Sequence, residues 1–275
     1  MISAPLAIFL FITFPRYVLP WAQKNNGYRA TTSFAVDLDP GSRGEIKMDP
    51  TPVFRAEIET EKTLDSAQLY WRGAILDYSY GLSWASTGEK DLPATFTNPR
   101  GTSYQLILEP QAQNHLFVLD YPLGVELKSS GLVRSEGGVY KTIMISDQQL
   151  SYRGISLLEE SNKNHGSSPD KAKYLQVPKL GPKTQEIVNQ LKTKKSLQDK
   201  IIALDLFFPM NHFNYSLSPG VYVKNQLDDF LANRKLGFCE HFAGAYATLA
   251  RTIGIPSRVR SEEHTSELQS HSFIS

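Results

Sequence analysis

The sequence predicts an α+β protein, with a β-rich front part followed by a helical back part. Three observations predict it. Between residues 31 and 160, short runs of β-branched and aromatic residues alternate with Pro, Gly and Asn. From Gly181 onward the apolar residues change to helical spacing. Between these regions, residues 162–170 (NKNHGSSPD) form a polar stretch suited to a boundary loop.

In the front part, residues 104–108 (YQLIL), 116–119 (LFVL), 139–143 (VYKTI) and 149–152 (QLSY) read as strands. Asn98-Pro99, Pro110, Tyr121-Pro122 and Gly137-Gly138 punctuate them. Trp71, Trp84 and the many tyrosines are expected to pack in or against the sheets rather than line a ligand cage, because pleated surfaces favour such side chains.

In the back part, Pro182 suits a first helical position, and Ile187, Val188 and Leu191 mark an inner face. Ser196 with Asp199 three residues on reads as a capping box, ahead of an apolar set of Ile201, Ile202 and Leu204. Residues 213–217 suit a short extended piece. Leu227, Phe230 and Leu231 mark a third helix, which leads into a turn at Gly237. A fourth helix begins near Cys239. Its face is Phe242, Ala245, Tyr246, Leu249, Ala250 and Ile253, and its other side is small at Ala243, Gly244 and Ala247, so that other elements can pack close. Gly254 fits the C′ position, Pro256 lies just beyond, and a strand can begin at residues 257–259.

Cys239 is the only cysteine in 275 residues, which excludes an internal disulfide framework and a multi-cysteine metal site. A lone cysteine is often a small buried hydrophobe. Here it follows a glycine turn at a helix start, where the dipole and free N–H groups favour thiolate, the nucleophilic form. His241 is two residues away on the same helix, so it is expected to point away from the thiol and pack. Glu240 is placed to complement the helix N-terminus, yet its charge opposes thiolate formation, and the sequence leaves that balance open. His115, His165 and His212 have no second ligand at metal-site spacing, and no metal or cofactor is implied. The net charge of +1 points to no nucleic-acid partner.

The string Gly237-Phe238-Cys239-Glu240-His241-Phe242-Ala243, followed by Arg251 and Gly254-Ile255-Pro256-Ser257-Arg258-Val259, resembles the start of a transglutaminase-like core. Residues 69–73 (LYWRG), Tyr80-Gly81 with Trp84, Asp39-Pro40-Gly41-Ser42, Val53-Phe54-Arg55, Leu108-Glu109-Pro110 and Tyr174-Leu175-Gln176 with Pro178 are similar to the lead-in domain of the membrane-anchored bacterial TgpA-type proteins. The resemblance implies a β-rich extracytoplasmic domain at 31–160. It also implies the helical first half of a papain-like, transglutaminase-like core at 171–260. Cys239 would be the nucleophile, forming a thioacyl enzyme on a glutamine-like carboxamide of a protein or peptide. Tyr215 and the Cys239 N–H are candidate oxyanion donors, with simple packing the alternative for Tyr215. In the family the catalytic His and Asp lie on later strands, so residues 1–275 are expected to be inactive as given. A papain-like cysteine peptidase and a non-catalytic transglutaminase-like binding module are the competing readings.

The two ends carry further expectations. Ala4 to Phe14 is almost wholly apolar, about half of the ~20 residues a membrane span needs. The resemblance implies that residues 1–21 are the end of a transmembrane segment with the globular part outside the inner membrane, a short hydrophobic surface segment or leader being the alternative. Residues 261–275 (SEEHTSELQSHSFIS) show neither helical nor strand period and resemble translated sequencing adapter, an artefact. No chemistry is therefore assigned to His264 or His271.

Overall fold

The computed structural model describes residues 37–46, 52–60, 64, 69–87, 92–93, 101–110, 114–119, 121–128, 131–135, 138–146, 148–158 and 172–264. The stretches read as a membrane end (1–21) and as a boundary loop (162–170), together with His165 and His271, lie outside them. No helix among the described residues is long and apolar enough to cross a membrane.

A 3-10 turn (Pro40–Ser42) precedes twelve strands: β1 (Phe54–Glu59), β2 (Tyr70–Leu76), β3 (Tyr78–Ser79), β4 (Trp84–Ala85), β5 (Leu92–Pro93), β6 (Thr102–Leu108), β7 (His115–Leu116), β8 (Val118–Leu119), β9 (Pro122–Glu126), β10 (Leu132–Arg134), β11 (Tyr140–Thr142) and β12 (Leu150–Ser156). A second 3-10 turn (Lys173–Leu175) leads to α1 (Pro182–Lys192), α2 (Leu197–Met210) and β13 (Asn214–Tyr215). Then come α3 (Gln226–Asp228), continuous with a π-helical turn (Asp229–Arg234), β14 (Leu236–Gly237), α4 (Cys239–Thr252) and β15 (Val259–His264). The α+β order matches the expectation, including helix, helix, extended piece, helix, cysteine helix and strand.

The front part is built on two four-stranded sheets, ordered β1-β6-β12-β9 and β5-β10-β11-β7. In β6, Tyr104, Leu106 and Leu108 are buried while Gln105 and Ile107 are exposed, the two-residue period of a half-buried strand. Trp71 is fully buried, edge-on to Phe54 (5.2 Å) and Tyr104 (5.3 Å). The Tyr104 hydroxyl shares a 3.0 Å bond with Ser156 Oγ and accepts from the Leu119 N–H. Gly154 lies under the Tyr104 ring, where an added Cβ would come within 2.2 Å of ring carbons. Trp71 and Trp84 are thus core residues, as the sequence indicates.

Local signals in the back part also hold. Pro182 opens α1, whose Val188 and Leu191 are buried. Ser196 Oγ accepts from the Asp199 N–H (3.0 Å), and Asp199 accepts from the Ser196 N–H in return. At the end of α4, Gly254 takes φ +90°. Its N–H donates to Arg251 O, and the Ile255 N–H donates to Ala250 O, the two bonds of a Schellman stop. In α2 the apolar set does not all face the core. Leu204 is fully buried, but Ile201 and Ile202 are 36 % and 48 % exposed. Apolar residues surround this helix on most sides, so composition did not reveal which side meets the core.

The two parts are joined by more than a linker. β2 pairs with β8 on one side and with β15 on the other, so a strand of the front part shares a sheet with the strand that follows the cysteine helix. Leu38, Leu76 and Trp84 from the front form a common core with Ala247 and Val259 from the back. β15 also continues through His264, with a bulge between Ser261 and Glu262, which corrects the expectation that residues 261–275 carry no strand over 261–264. Pairing is carried by backbone groups, so it needs no alternation of side chains.

Candidate functional site

The site is built around the start of α4. The parallel pair β13–β14 sets Tyr215 opposite Gly237, two residues before Cys239. A Cβ on Gly237 would lie 2.7 Å from the His241 side chain, so only glycine lets the chain turn this tightly into the helix. Phe238 is extended and fully buried, and the helix begins at the cysteine itself.

Cys239 is a free thiol exposed to solvent. The Tyr215 hydroxyl lies near enough to Cys239 to act on its thiol and backbone N–H, favouring thiolate. The Glu240 N–H bonds the sulfur from the helix side. The two candidate oxyanion donors read from the sequence therefore meet beside one atom. Tyr215 is 63 % exposed and stacks on Phe242 at 6.4 Å, so it packs and also reaches the thiol.

The N–H groups at the helix start favour thiolate as expected, but they do not decide the net direction. The Cys239 pKa is raised. Desolvation by the surrounding protein is the largest cause, followed by the Glu240 charge, and the hydrogen bonds from Glu240 N–H, Tyr215 and the Cys239 N–H offset this only in part. The Glu240 carboxylate thus opposes ionisation of its neighbour, second to desolvation. Burial also raises the pKa of Glu240 itself, with Arg43 pulling it down and Asp39 pushing it up. Arg43 Nη1 lies 3.0 Å from Glu240 Oε1.

His241 packs as its spacing indicates. It is fully buried, 4.3 Å from the Phe238 ring centroid, 5.1 Å from Tyr222 and 5.5 Å from Phe230. Burial first, and Arg234 second, lower its pKa to about 4. His115 belongs to the front part, on β7, where burial likewise holds it at about 4. His212 sits exposed in a left-handed turn. Among the described residues, no imidazole is among the groups that act on the thiol. No cluster of metal-binding side chains occurs among the described residues.

Sequence reasoning missed the residues that hold α4 in place. Arg251 is buried and donates to the carbonyls of Ser257, Gln176 and Asp77, with its guanidinium 4.4 Å from the Trp84 ring centroid. The Trp84 Nε1–H donates to Gly244 O (3.0 Å), and Thr248 Oγ1 donates to Gly81 O (2.6 Å). A Cβ on Gly244 would lie 2.4 Å from Leu82 O, so the small side of the helix admits the front part's backbone, as the sequence pattern indicates. The spaced motifs around residues 80–84 and 251–258 were visible in the sequence. Their contact with each other was not.

The comparisons agree with this architecture. Residues 1–163 match the TgpA N-terminal domain family, and residues 184–273 match the transglutaminase-like superfamily. A protein-glutamine gamma-glutamyltransferase of Pseudomonas aeruginosa is 28% identical over 264 residues, which is 94% of this chain and 39% of that protein. The uncharacterized protein YebA of Bacillus subtilis is 24% identical over 248 residues, 78% of this chain and 33% of that protein. The chain thus spans little more than a third of the length of these bacterial relatives. The crystal structure of the periplasmic domain of TgpA from Pseudomonas aeruginosa is 25% identical and superposes with a TM-score of 0.63, covering 82% of this chain and 79% of that one. A second crystal structure, of the same domain bound to ethylmercury, gives the same score. The lead-in domain spans more than half of the chain and the cysteine helix lies in the region of the second match: the protein belongs to the TgpA-type transglutaminase-like family.

Proposed function

We propose that Cys239 is the nucleophile of an acyl transfer from a glutamine-type carboxamide of a protein or peptide to a primary amine. The observation that supports this reading most is the convergence of the Tyr215 hydroxyl and the Cys239 N–H beside an exposed sulfur at a helix start. In the first step Sγ bonds to the carboxamide carbon and the C–N bond breaks. The thiol proton goes with the leaving NH₂ group, so ammonia departs. In the second step an amine attacks the thioester, its nitrogen bonds to carbon, the C–S bond breaks and a proton returns to sulfur. In this reading Tyr215 and the Cys239 N–H stabilise the charge that develops on the carbonyl oxygen. The exposed Cys239 is also where a thiol-seeking organomercurial would bond to this chain.

The raised thiol pKa means that the neutral thiol predominates near pH 7, so turnover needs a base that the described groups around the sulfur do not provide. Residues 1–275 should therefore acylate once with an activated ester and turn over carboxamides poorly. We place the globular part outside the inner membrane, anchored by the segment at 1–21, in keeping with the periplasmic domain it superposes on. The test uses a γ-nitrophenyl glutamyl ester. The expected result is a burst of about one equivalent of nitrophenolate, lost in Cys239→Ala. No burst from the wild-type protein would overturn the nucleophile. Sustained carboxamide turnover would overturn the need for an added base.

A further inference from the structure

We infer that Arg43, contributed by the front part, is a positioning residue for the nucleophile: its ion pair with Glu240 screens the adjacent Cys239 sulfur from the Glu240 carboxylate. The inference rests on the reading of Cys239 as the reacting group, and it assigns the lead-in domain a direct part in the site.

The pair is built into the fold. The segment carrying Arg43 is fixed at both ends. Leu38 exchanges backbone hydrogen bonds with Trp84, and Gly44 O accepts from the Gly220 N–H. Between them, Gly41 O accepts from the Tyr222 N–H and Asp39 Oδ1 accepts from Ser83 Oγ. A Cβ on Gly41 would fall within 2.4 Å of the Gln226 side chain, so the 3-10 turn is pressed close against α3. These contacts deliver the guanidinium to the first turn of α4, 197 residues along the chain from its partner.

Glu240 is not an ordinary surface carboxylate. Its side chain is 15% exposed, and Oε2 is buried with no hydrogen-bond partner among the described residues. A carboxylate so placed depends on its one cationic neighbour. The charged and titratable groups around it are Arg43 and Asp39 from the turn segment and Cys239 on its own helix, with Tyr215 beyond the thiol. Only Arg43 among these is cationic. Asp39 shares the sign of Glu240 and strengthens the need for it.

The chain at this helix start therefore carries a charge that opposes the thiolate, together with a countercharge supplied from a distant segment. Without Arg43, the charge that Glu240 retains at a given pH acts unscreened on the sulfur in partly desolvated surroundings. The thiol remains present and exposed but ionises less readily.

The experiment measures the iodoacetamide alkylation rate of Cys239 against pH in the wild type, Arg43→Gln, Arg43→Lys, Glu240→Gln and the double variant. The expected results are a midpoint displaced to higher pH in Arg43→Gln, with alkylation at pH 7 roughly three- to tenfold slower. Arg43→Lys should restore most of the rate. Glu240→Gln should move the midpoint down, and the effect of Arg43→Gln should vanish in that background. Far-UV circular dichroism identifies any variant that fails to fold, and the near-isosteric Glu240→Gln comparison then carries the test. A wild-type thiol that does not alkylate at any pH would overturn the nucleophile and this inference with it. A reactive wild-type thiol whose profile is unchanged in Arg43→Gln, or in Glu240→Gln if the former does not fold, would overturn this inference alone.

Discussion

Replacing Arg251 by Met should uncouple the two halves of the protein. Arg251 is 2% exposed and makes its bonds inward. Nε donates to Ser257 O at 2.8 Å, Nη1 to Gln176 O at 3.0 Å and Nη2 to Asp77 O at 2.7 Å. It thereby ties α4 to the loop before β15, to the segment before α1 and to the end of β2. Met keeps the apolar stem and removes every donor. Hydrogen bonds to a charged group are each worth about 1.5–3 kcal/mol, and the contact with Trp84 adds about 1–2 kcal/mol in a desolvated setting. Against this, the variant recovers the cost of burying a guanidinium, which is also the main cause lowering the Arg251 pKa. Bonds sharing one side chain do not add. The net loss should be about 3–5 kcal/mol, a large share of the ~5–15 kcal/mol available to a folded domain. Urea unfolding followed by tryptophan fluorescence and circular dichroism measures it. The midpoint should fall sharply, and the two probes should cease to coincide because the front part outlasts the helices. Arg251→Lys keeps the charge but not the fork, so it should fall between wild type and Met. A loss below about 1 kcal/mol for Met, with coincident probes, would refute this reasoning.

Tyr215→Phe should raise the alkylation midpoint of Cys239, because the phenolic hydrogen bond favours thiolate. It should also slow ester acylation by about tenfold, less than the ~10²–10³ of an enclosed donor, because Tyr215 is 63 % exposed. Gly244→Val should destabilise the protein by about 2–3 kcal/mol in urea melts, since its Cβ would strike Leu82 O, a backbone atom that cannot rotate away. Stability should decline as pH falls from about 6.5 to about 4. Across that window the unfolded chain protonates His115 and His241, and the folded chain does not. Each contributes on the order of 3 kcal/mol over the whole window, about 2 kcal/mol of it between pH 7 and 5, and His241→Phe should remove one such share in urea titrations at pH 5 and 7. A pH-independent wild type would count against the buried neutral imidazoles.

Much of the fold was legible because its signals are local. The capping box at Ser196, the stop at Gly254 and the strand period of residues 104–108 each depend on a few neighbouring residues. The side of α2 that meets the core was not legible, because a helix apolar nearly all round carries no directional signal. Neither was the β2–β15 pairing, which joins segments distant in sequence through backbone groups alone. At the proposed site, Cys239 and Tyr215 were candidates already in the sequence, from the glycine turn and the wider resemblance. Arg43 was not, since nothing around an arginine in a glycine-containing loop reveals a partner 197 residues away. The direction of the thiol pKa was missed for a related reason. The helix dipole can be read from the sequence, whereas desolvation depends on what packs around the sulfur.

The most direct test of thioacyl chemistry at Cys239 is intact-mass spectrometry of the ester-treated protein, before and after addition of a primary amine. The expected result is a single glutamyl adduct that maps to Cys239, disappears on amine addition and reappears as the γ-glutamyl amide of that amine. An adduct on another residue, or one on Cys239 that the amine does not take up, would contradict the account.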